Sequence, residues 1–169
     1  MQVRTPSRAI ASRLRHTLTG PMWHGPALME LLVSVEADQA ARRPIERAHT
    51  IWELTFHMTA WANIARQRLD GQSLDYPDVA LDWPSVPAAT TAAEWKAALQ
   101  QLSDAYEQLA AAVRHLSDEQ LHAHVAGTDY TVETMLCGVV EHGVYHGGQI
   151  AILLKADRQQ QRTTQAEIS

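Results

Sequence analysis

The chain has a single cysteine, Cys137, in 169 residues. No disulfide can form within it, and such sparing cysteine use belongs to a reducing compartment. No apolar run approaches the ~20 residues that a helix needs to cross a bilayer. The N-terminal stretch is polar and basic, without the apolar block of a signal peptide, so the expectation is a cytoplasmic protein with no membrane association. Positive charge is in deficit, with 14 Lys and Arg against 19 Asp and Glu and a formal net charge of -5. That balance lacks the basic footprint of a nucleic-acid binder. The early basic residues Arg4, Arg8, Arg13 and Arg15 read instead as a solvated helix face. What remains is ordinary for one globular domain: 46% hydrophobic and 20% charged, long enough to bury a core.

Strand alternation and internal repeats are also missing, and helical spacing dominates. Ile10, Leu14 and Leu18 predict a first helix over residues 5–18, ended by Gly20-Pro21. A turn-rich joint, Met22-Trp23-His24-Gly25-Pro26, leads into a short helix over 27–35. Residues 41–48 are polar, contain Pro44 and read as a loop. Thr50-Ile51-Trp52-Glu53 is a capping box, opening a helix to about Leu69 that stops at Gly71. Its inward stripe is Leu54, His57, Trp61 and Ile64. Residues 72–90 form a long connection with Pro77, Pro84 and Pro87; its Tyr76, Leu81 and Trp83 could fold down as a cover. A second capping box, Thr91 to Glu94, starts a helix with Trp95, Leu99, Leu102, Tyr106, Leu109 and Val113 on one face, ending near His115. Ser117 starts a short turn of helix, residues 122–128 link onward, and Thr131 caps a last long helix. From Arg158 the chain is Gln-rich and polar. The reading is all-α with four principal helices: one domain over residues 1–157 and a polar, flexible tail over 158–169.

The chemistry concentrates in three histidines on core-facing stripes. His142 and His146 are four apart on the last helix, on the apolar face of Met135, Val139, Ile150 and Leu153. His57 interrupts the stripe of the helix that Thr50 caps. If those helices are neighbours, the three imidazoles can converge on zinc, nickel, iron or copper and leave a position open for water or substrate. The competing reading is that each is a core histidine bonded to a carbonyl, and a His-x-x-x-His pair also arises by chance in a chain with nine histidines. Gly138, Gly143, Gly147 and Gly148 weigh on the other side. Together they penalise the last helix by about 3–4 kcal/mol, which is easier to understand if a neighbour must approach closely. A di-iron site would need paired Glu-x-x-His motifs on long helices; the matches, Glu46 to His49 and Glu119 to His122, lie in polar segments. No His-Glu-x-x-His motif occurs, so a metal site would be mononuclear. Cys137 reads as a packed small residue, His24 as part of a surface joint, and Trp52, Trp61 and Trp95 as core. Glu141 either orients a histidine or is solvated. His16, His49, His115, His122 and His124 receive no role.

Thr50-Ile51-Trp52-Glu53-Leu54-x-x-His57-x-x-x-Trp61, followed by Glu141-His142-x-x-Tyr145-His146-x-Gly148-Gln149-Ile150, resembles the DinB/YfiT-like superfamily of proposed metalloenzymes. The segment from Trp23 to Leu28 is similar to its N-terminal region, and the resemblance covers roughly residues 5–157. It implies a DinB-like four-helix bundle with up-down-down-up topology, a metal triad of His57, His142 and His146, and frequently a homodimer. The implied cofactor is one divalent ion, nickel or zinc before iron, manganese or cobalt. Characterised relatives include transferases and isomerases that depend on low-molecular-weight thiols such as bacillithiol and mycothiol, so a thiol is the implied cosubstrate. The first expectation is therefore a metal-dependent enzyme presenting a small thiol to a small electrophile in a pocket under residues 72–90, with no general base that can be named. The alternatives are a metal-dependent hydrolase and a non-catalytic, stress-linked metal-binding or dimerisation module.

Overall fold

The computed structural model describes residues 5–72 and 79–168; Arg4 and Tyr76 lie outside them. Among the described residues the chain is helical, with one isolated antiparallel bridge between His124 and Thr131. The helices are α1 (Pro6–Thr19), α2 (Leu28–Leu32), α3 (Ala37–Ala41), α4 (Ile51–Leu69), α5 (Val79–Asp82), α6 (Ala92–Val113), α7 (Asp118–His122) and α8 (Val132–Ile168). None of them is long and apolar enough to cross a membrane.

Local chemistry sets the helix starts. The Thr50 hydroxyl accepts from the Glu53 N–H at 3.1 Å, and the Glu53 carboxylate accepts from the Thr50 N–H at 2.7 Å. The same reciprocal box joins Thr91 with Glu94 and Ser117 with Gln120. Each box satisfies two backbone donors that a helix end leaves open. Thr131 caps α8 through the Thr134 N–H at 3.2 Å. Gly20 closes α1 at φ 78°, donating its N–H to the His16 carbonyl.

Apolar stripes then decide the pairing. α1 packs against α6 and α8, and α4 packs against the same two helices. Leu14, Leu18, Trp52, Met58, Leu102, Tyr106, Leu109, Leu136 and Ile150 are buried between them. The short α2 closes on α1 and α8, and α3 on α4 and α6. Trp95 donates its indole N–H to the Val35 carbonyl at 2.7 Å, fixing the segment between α2 and α3 to α6. Of the expected solvated basic face, Arg8 and Arg13 are exposed, while Arg15 bonds Glu107 at 2.8 Å.

The sequence reading missed α3 and α5. α8 also continues past Arg158 to Ile168, with residues 158–166 exposed. Where α8 enters that stretch it is tied to α3 and the segment that follows. Asp157 is buried and accepts from Arg42 at 2.7 Å and from Gln39 at 2.9 Å, and Gln160 donates to the Pro44 carbonyl at 2.8 Å.

Gly147-Gly148 does not end α8, and the four helix glycines differ in purpose. A Cβ at Gly143 would stand 2.6 Å from the Tyr106 hydroxyl and 2.7 Å from Thr17 Cγ2, so α8 can approach α6 and α1 only without a side chain there. At Gly147 the nearest atom is Leu28 Cδ2, 3.3 Å away, and nothing lies within 4 Å at Gly138 or Gly148. Gly143→Ala should therefore destabilise the protein by about 1–3 kcal/mol through overpacking. Gly148→Ala, which meets open space, should stabilise it by up to about 1 kcal/mol. Denaturant unfolding of the two variants would check both signs.

Candidate metal centre

α4 and α8 lie side by side, and this brings residues 85 and 89 positions apart into contact. His142 Nε2 stands 2.9 Å from His57 Nε2 and 2.9 Å from His146 Nε2. His57 and His146 are buried, and His142 is half-buried. Nitrogens held about 2.0–2.1 Å from one ion stand about 2.9 Å apart at right angles and about 3.4 Å apart in a tetrahedron. The two distances from His142 match the tighter arrangement, and with the candidate ligand atoms of all three residues within 4.8 Å of one another the group could hold one metal ion.

Proton bookkeeping supports that fit. The His57 Nδ1–H donates to the Asp82 backbone carbonyl at 2.7 Å, with the Asp82 carboxylate 3.1 Å away. The His146 Nδ1–H donates to the Gln149 side-chain oxygen at 2.6 Å. With those protons committed, both Nε2 atoms turn lone pairs toward His142, in the tautomer that a metal ligand needs. His142 can place at most one proton between them in its neutral form. Its own Nδ1 is buried with no hydrogen-bond partner among the described residues.

Burial holds all three imidazoles below their ordinary pKa. His142 is pushed down to about 3, first by desolvation and then by its neighbours His146 and His57. His57 is lowered by burial against the opposing pull of Asp82, and His146 by burial against that of Gln149. At neutral pH the cluster is therefore uncharged, the form that binds cations.

The connection after α4 closes over one side. Asp82 ends α5, and its carboxylate also accepts from the Trp61 indole N–H at 2.7 Å. Trp83 stacks on His57 with ring centroids 3.8 Å apart and planes 4° from parallel. It stacks on His49 as well, at 3.6 Å. Of the expected cover residues, Trp83 fills the role and Leu81 is exposed.

Beside the cluster, between α4 and α8, lies an apolar cavity of about 300 Å³ reaching from His142 and Trp61 to Arg68 and Tyr130. Trp61 is thus a cavity wall, unlike the buried Trp52 and Trp95. Glu141 points to solvent and His24 is exposed. Cys137 is half-buried, and burial raises its thiol pKa. Asp82 and Gln149 carry the roles that sequence reasoning missed. Gln149 was within reach, since three residues after His146 on a helix is one turn away. Asp82 had only its neighbour Trp83, in a segment without periodicity, to draw attention to it. His49, given no role from sequence, holds Trp83.

A sequence model described as the DinB superfamily matches residues 23–150, a span that contains all three histidines. Comparison with curated proteins and with solved structures gives no match.

The lowered pKa values set a pH dependence. Between pH 6.5 and the depressed folded values, about 3 for His142, the unfolded chain binds more protons than the folded one. Stability is then full above pH 6.5 and drains as pH falls. Chelator-treated protein should lose about 1.4 kcal/mol per pH unit for each excess proton taken up. His142→Gln should show a shallower slope in urea unfolding from pH 7 to 4. Equal slopes would contradict the assignment.

Proposed function

Because the chain belongs to the DinB superfamily, we propose that it is a mononuclear, divalent-metal-dependent enzyme with His57, His142 and His146 as the protein ligands. The observation that carries this reading is His142 Nε2 standing 2.9 Å from both His57 Nε2 and His146 Nε2, the latter two rings having their Nδ1 protons committed elsewhere. An ion bound there supplies positive charge that lowers the pKa of a thiol or water beside it. Nickel and zinc are the ions this reading favours, and a small thiol transferred to a small electrophile is the favoured reaction.

The chain's residues have separable tasks. Asp82 and Gln149 orient His57 and His146 through their Nδ1 protons. Desolvation keeps the imidazoles neutral, so they compete weakly for protons and well for a cation. Trp83 covers His57 and excludes water from that side. The cavity at His142 supplies room for a reactant, which favours an enzyme over a non-catalytic metal-binding module. Metal-assisted hydrolysis is the second reading, separated from the first by whether turnover needs a thiol.

We assign the fold as a four-helix bundle of α1, α4, α6 and α8 in up-down-down-up order, which the shared packing of α1 and α4 on α6 and α8 supports. The domain would span residues 1–157, with the exposed remainder an appendage of α8. A homodimer working in the cytoplasm on a small molecule, without nucleic acid, completes the reading.

Untagged protein should carry close to one divalent ion per chain by elemental analysis. His57→Ala and His146→Ala should each bind it at least ~100-fold more weakly, beyond the 10–100-fold typical of losing a supporting partner alone. With cobalt in place of the native ion, a low-molecular-weight thiol should shift the visible absorption spectrum. Metal-free wild-type protein would end the metal reading; a cobalt spectrum indifferent to every thiol tried would end the thiol one.

A further inference from the structure

The cavity beside His142 follows from what two helix faces carry. Its α4 wall is Trp61, Ile64, Ala65 and Arg68, and its α8 wall is Met135, Gly138, Val139 and His142. Each set has the i, i+3, i+4, i+7 spacing of one helix face, ~10 Å from first to last. The two faces run in opposite directions. Trp61 and His142 meet at one end, with ring centroids 6.1 Å apart, and Arg68 donates to the Tyr130 hydroxyl at 2.6 Å near the other. Midway, each helix presents a residue with little or no side chain, Ala65 and Gly138, and about 300 Å³ is left between them.

Packing explains the glycine at position 143 but not the one at 138. A Cβ at Gly143 would collide with Tyr106 and Thr17, whereas one at Gly138 would meet nothing within 4 Å. Inside a helix glycine is less favourable than alanine or leucine, so α8 is weakened at Gly138 without gaining a close neighbour. What the missing side chain leaves is room in the cavity wall.

The chemistry of that wall selects the occupant. Between the two ends it is built from Ile64, Ala65, Met135 and Val139, whose side chains offer neither donor nor acceptor. A charged group moved there from water would lose its hydration without replacement. Arg68, at the far end, is engaged within the protein by Tyr130 and by a further interaction. An engineered apolar cavity of about 150 Å³ is enough for benzene, so about 300 Å³ has room for an aromatic ring or a short alkyl chain.

We propose that this cavity binds the uncharged, apolar part of a small molecule, and that Gly138 sets how large that part can be. The inference deepens the metal-enzyme reading by giving its reactant a chemical class. It rests on that reading for one point only, that the end of the ligand at His142 is the reacting end. Uptake of the apolar part requires no ion.

Titration calorimetry of the full chain as purified, with butan-1-ol, hexan-1-ol and hexanoate as probes, tests this. Hexan-1-ol should bind about fifteenfold more tightly than butan-1-ol, at about fourfold for each added methylene. Hexanoate should bind at least about tenfold more weakly than hexan-1-ol, because its charge is costly to bury. Gly138→Leu should abolish hexan-1-ol binding while raising the urea midpoint, the opposite of what a glycine required for packing would show. Gly138→Ala should weaken binding several-fold. Gly148→Ala changes the other α8 glycine that faces open space, outside this wall; it should raise the midpoint and leave binding at the wild-type level. If Gly138→Leu does not fold, judged by circular dichroism, Gly138→Ala carries the test. Absence of hexan-1-ol binding, no gain from butan-1-ol to hexan-1-ol, hexanoate bound as tightly as the alcohol, or wild-type binding in folded Gly138→Leu would each overturn the proposal. Protein that binds hexan-1-ol as expected yet holds no metal would leave this inference standing and remove the metal reading alone. Metal-loaded protein that does not bind hexan-1-ol would do the reverse.

Discussion

The His142 Nε2, set 2.9 Å from those of both His57 and His146, imposes a constraint that the surrounding structure is arranged to meet. The Asp82 carbonyl and the Gln149 side chain take the Nδ1 protons of His57 and His146. Two lone pairs therefore converge on a third ring that has one proton to offer. In water, solvent would relieve such a meeting; here burial removes that option and lowers the basicity of all three rings. A cation held there would resolve the conflict that hydrogen bonding leaves. The backbone must hold α4 and α8 at the right separation for this to occur. Gly143 helps by letting α8 seat against Tyr106 and Thr17 at the turn that carries His142 and His146.

Much of this was legible in the chain because it is written in local code. The helix starts at Thr50, Thr91, Ser117 and Thr131 follow from short-range capping chemistry, and the structure shows each cap formed. The stripes on α4, α6 and α8 follow from helical periodicity, and they place His57, His142 and His146 on inward faces. The suspicion that a helix with four glycines must admit a close neighbour holds at Gly143 and, more loosely, at Gly147; Gly138 and Gly148 face open space.

What escaped the sequence is non-local. α3 has no side-chain cap, so nothing local announces a five-residue helix. The last turns of α8 begin from a long-range anchor: Asp157 is buried under Arg42 and Gln39, and Arg42 holds its carboxyl below the ordinary carboxylate range. A Gln-rich stretch read by itself carries no trace of that partner. Asp82 escaped for a related reason. Its value lies in which atoms it reaches across the connection, His57 through a backbone carbonyl and Trp61 through a carboxylate, and no periodicity encodes either.

The arrangement of aromatic rings also fixes the side from which a reactant can approach. His57 has Trp83 stacked on its face and Trp61 edge-on at 6.4 Å. His146 has Trp83 at 6.4 Å and Tyr145 at 5.0 Å. Of the three histidines, His142 is the one that lines the cavity between α4 and α8. It is also the ring whose Nδ1 has no partner and whose basicity burial suppresses down to about 3. Two rings are thus oriented through Nδ1 and covered, while the third is held only through its Nε2 contacts with them and lines the cavity. A cluster serving only to pack the core would gain from covering all three rings alike. The asymmetry gives the cluster rigid support on one side and, at His142, an apolar cavity on the other.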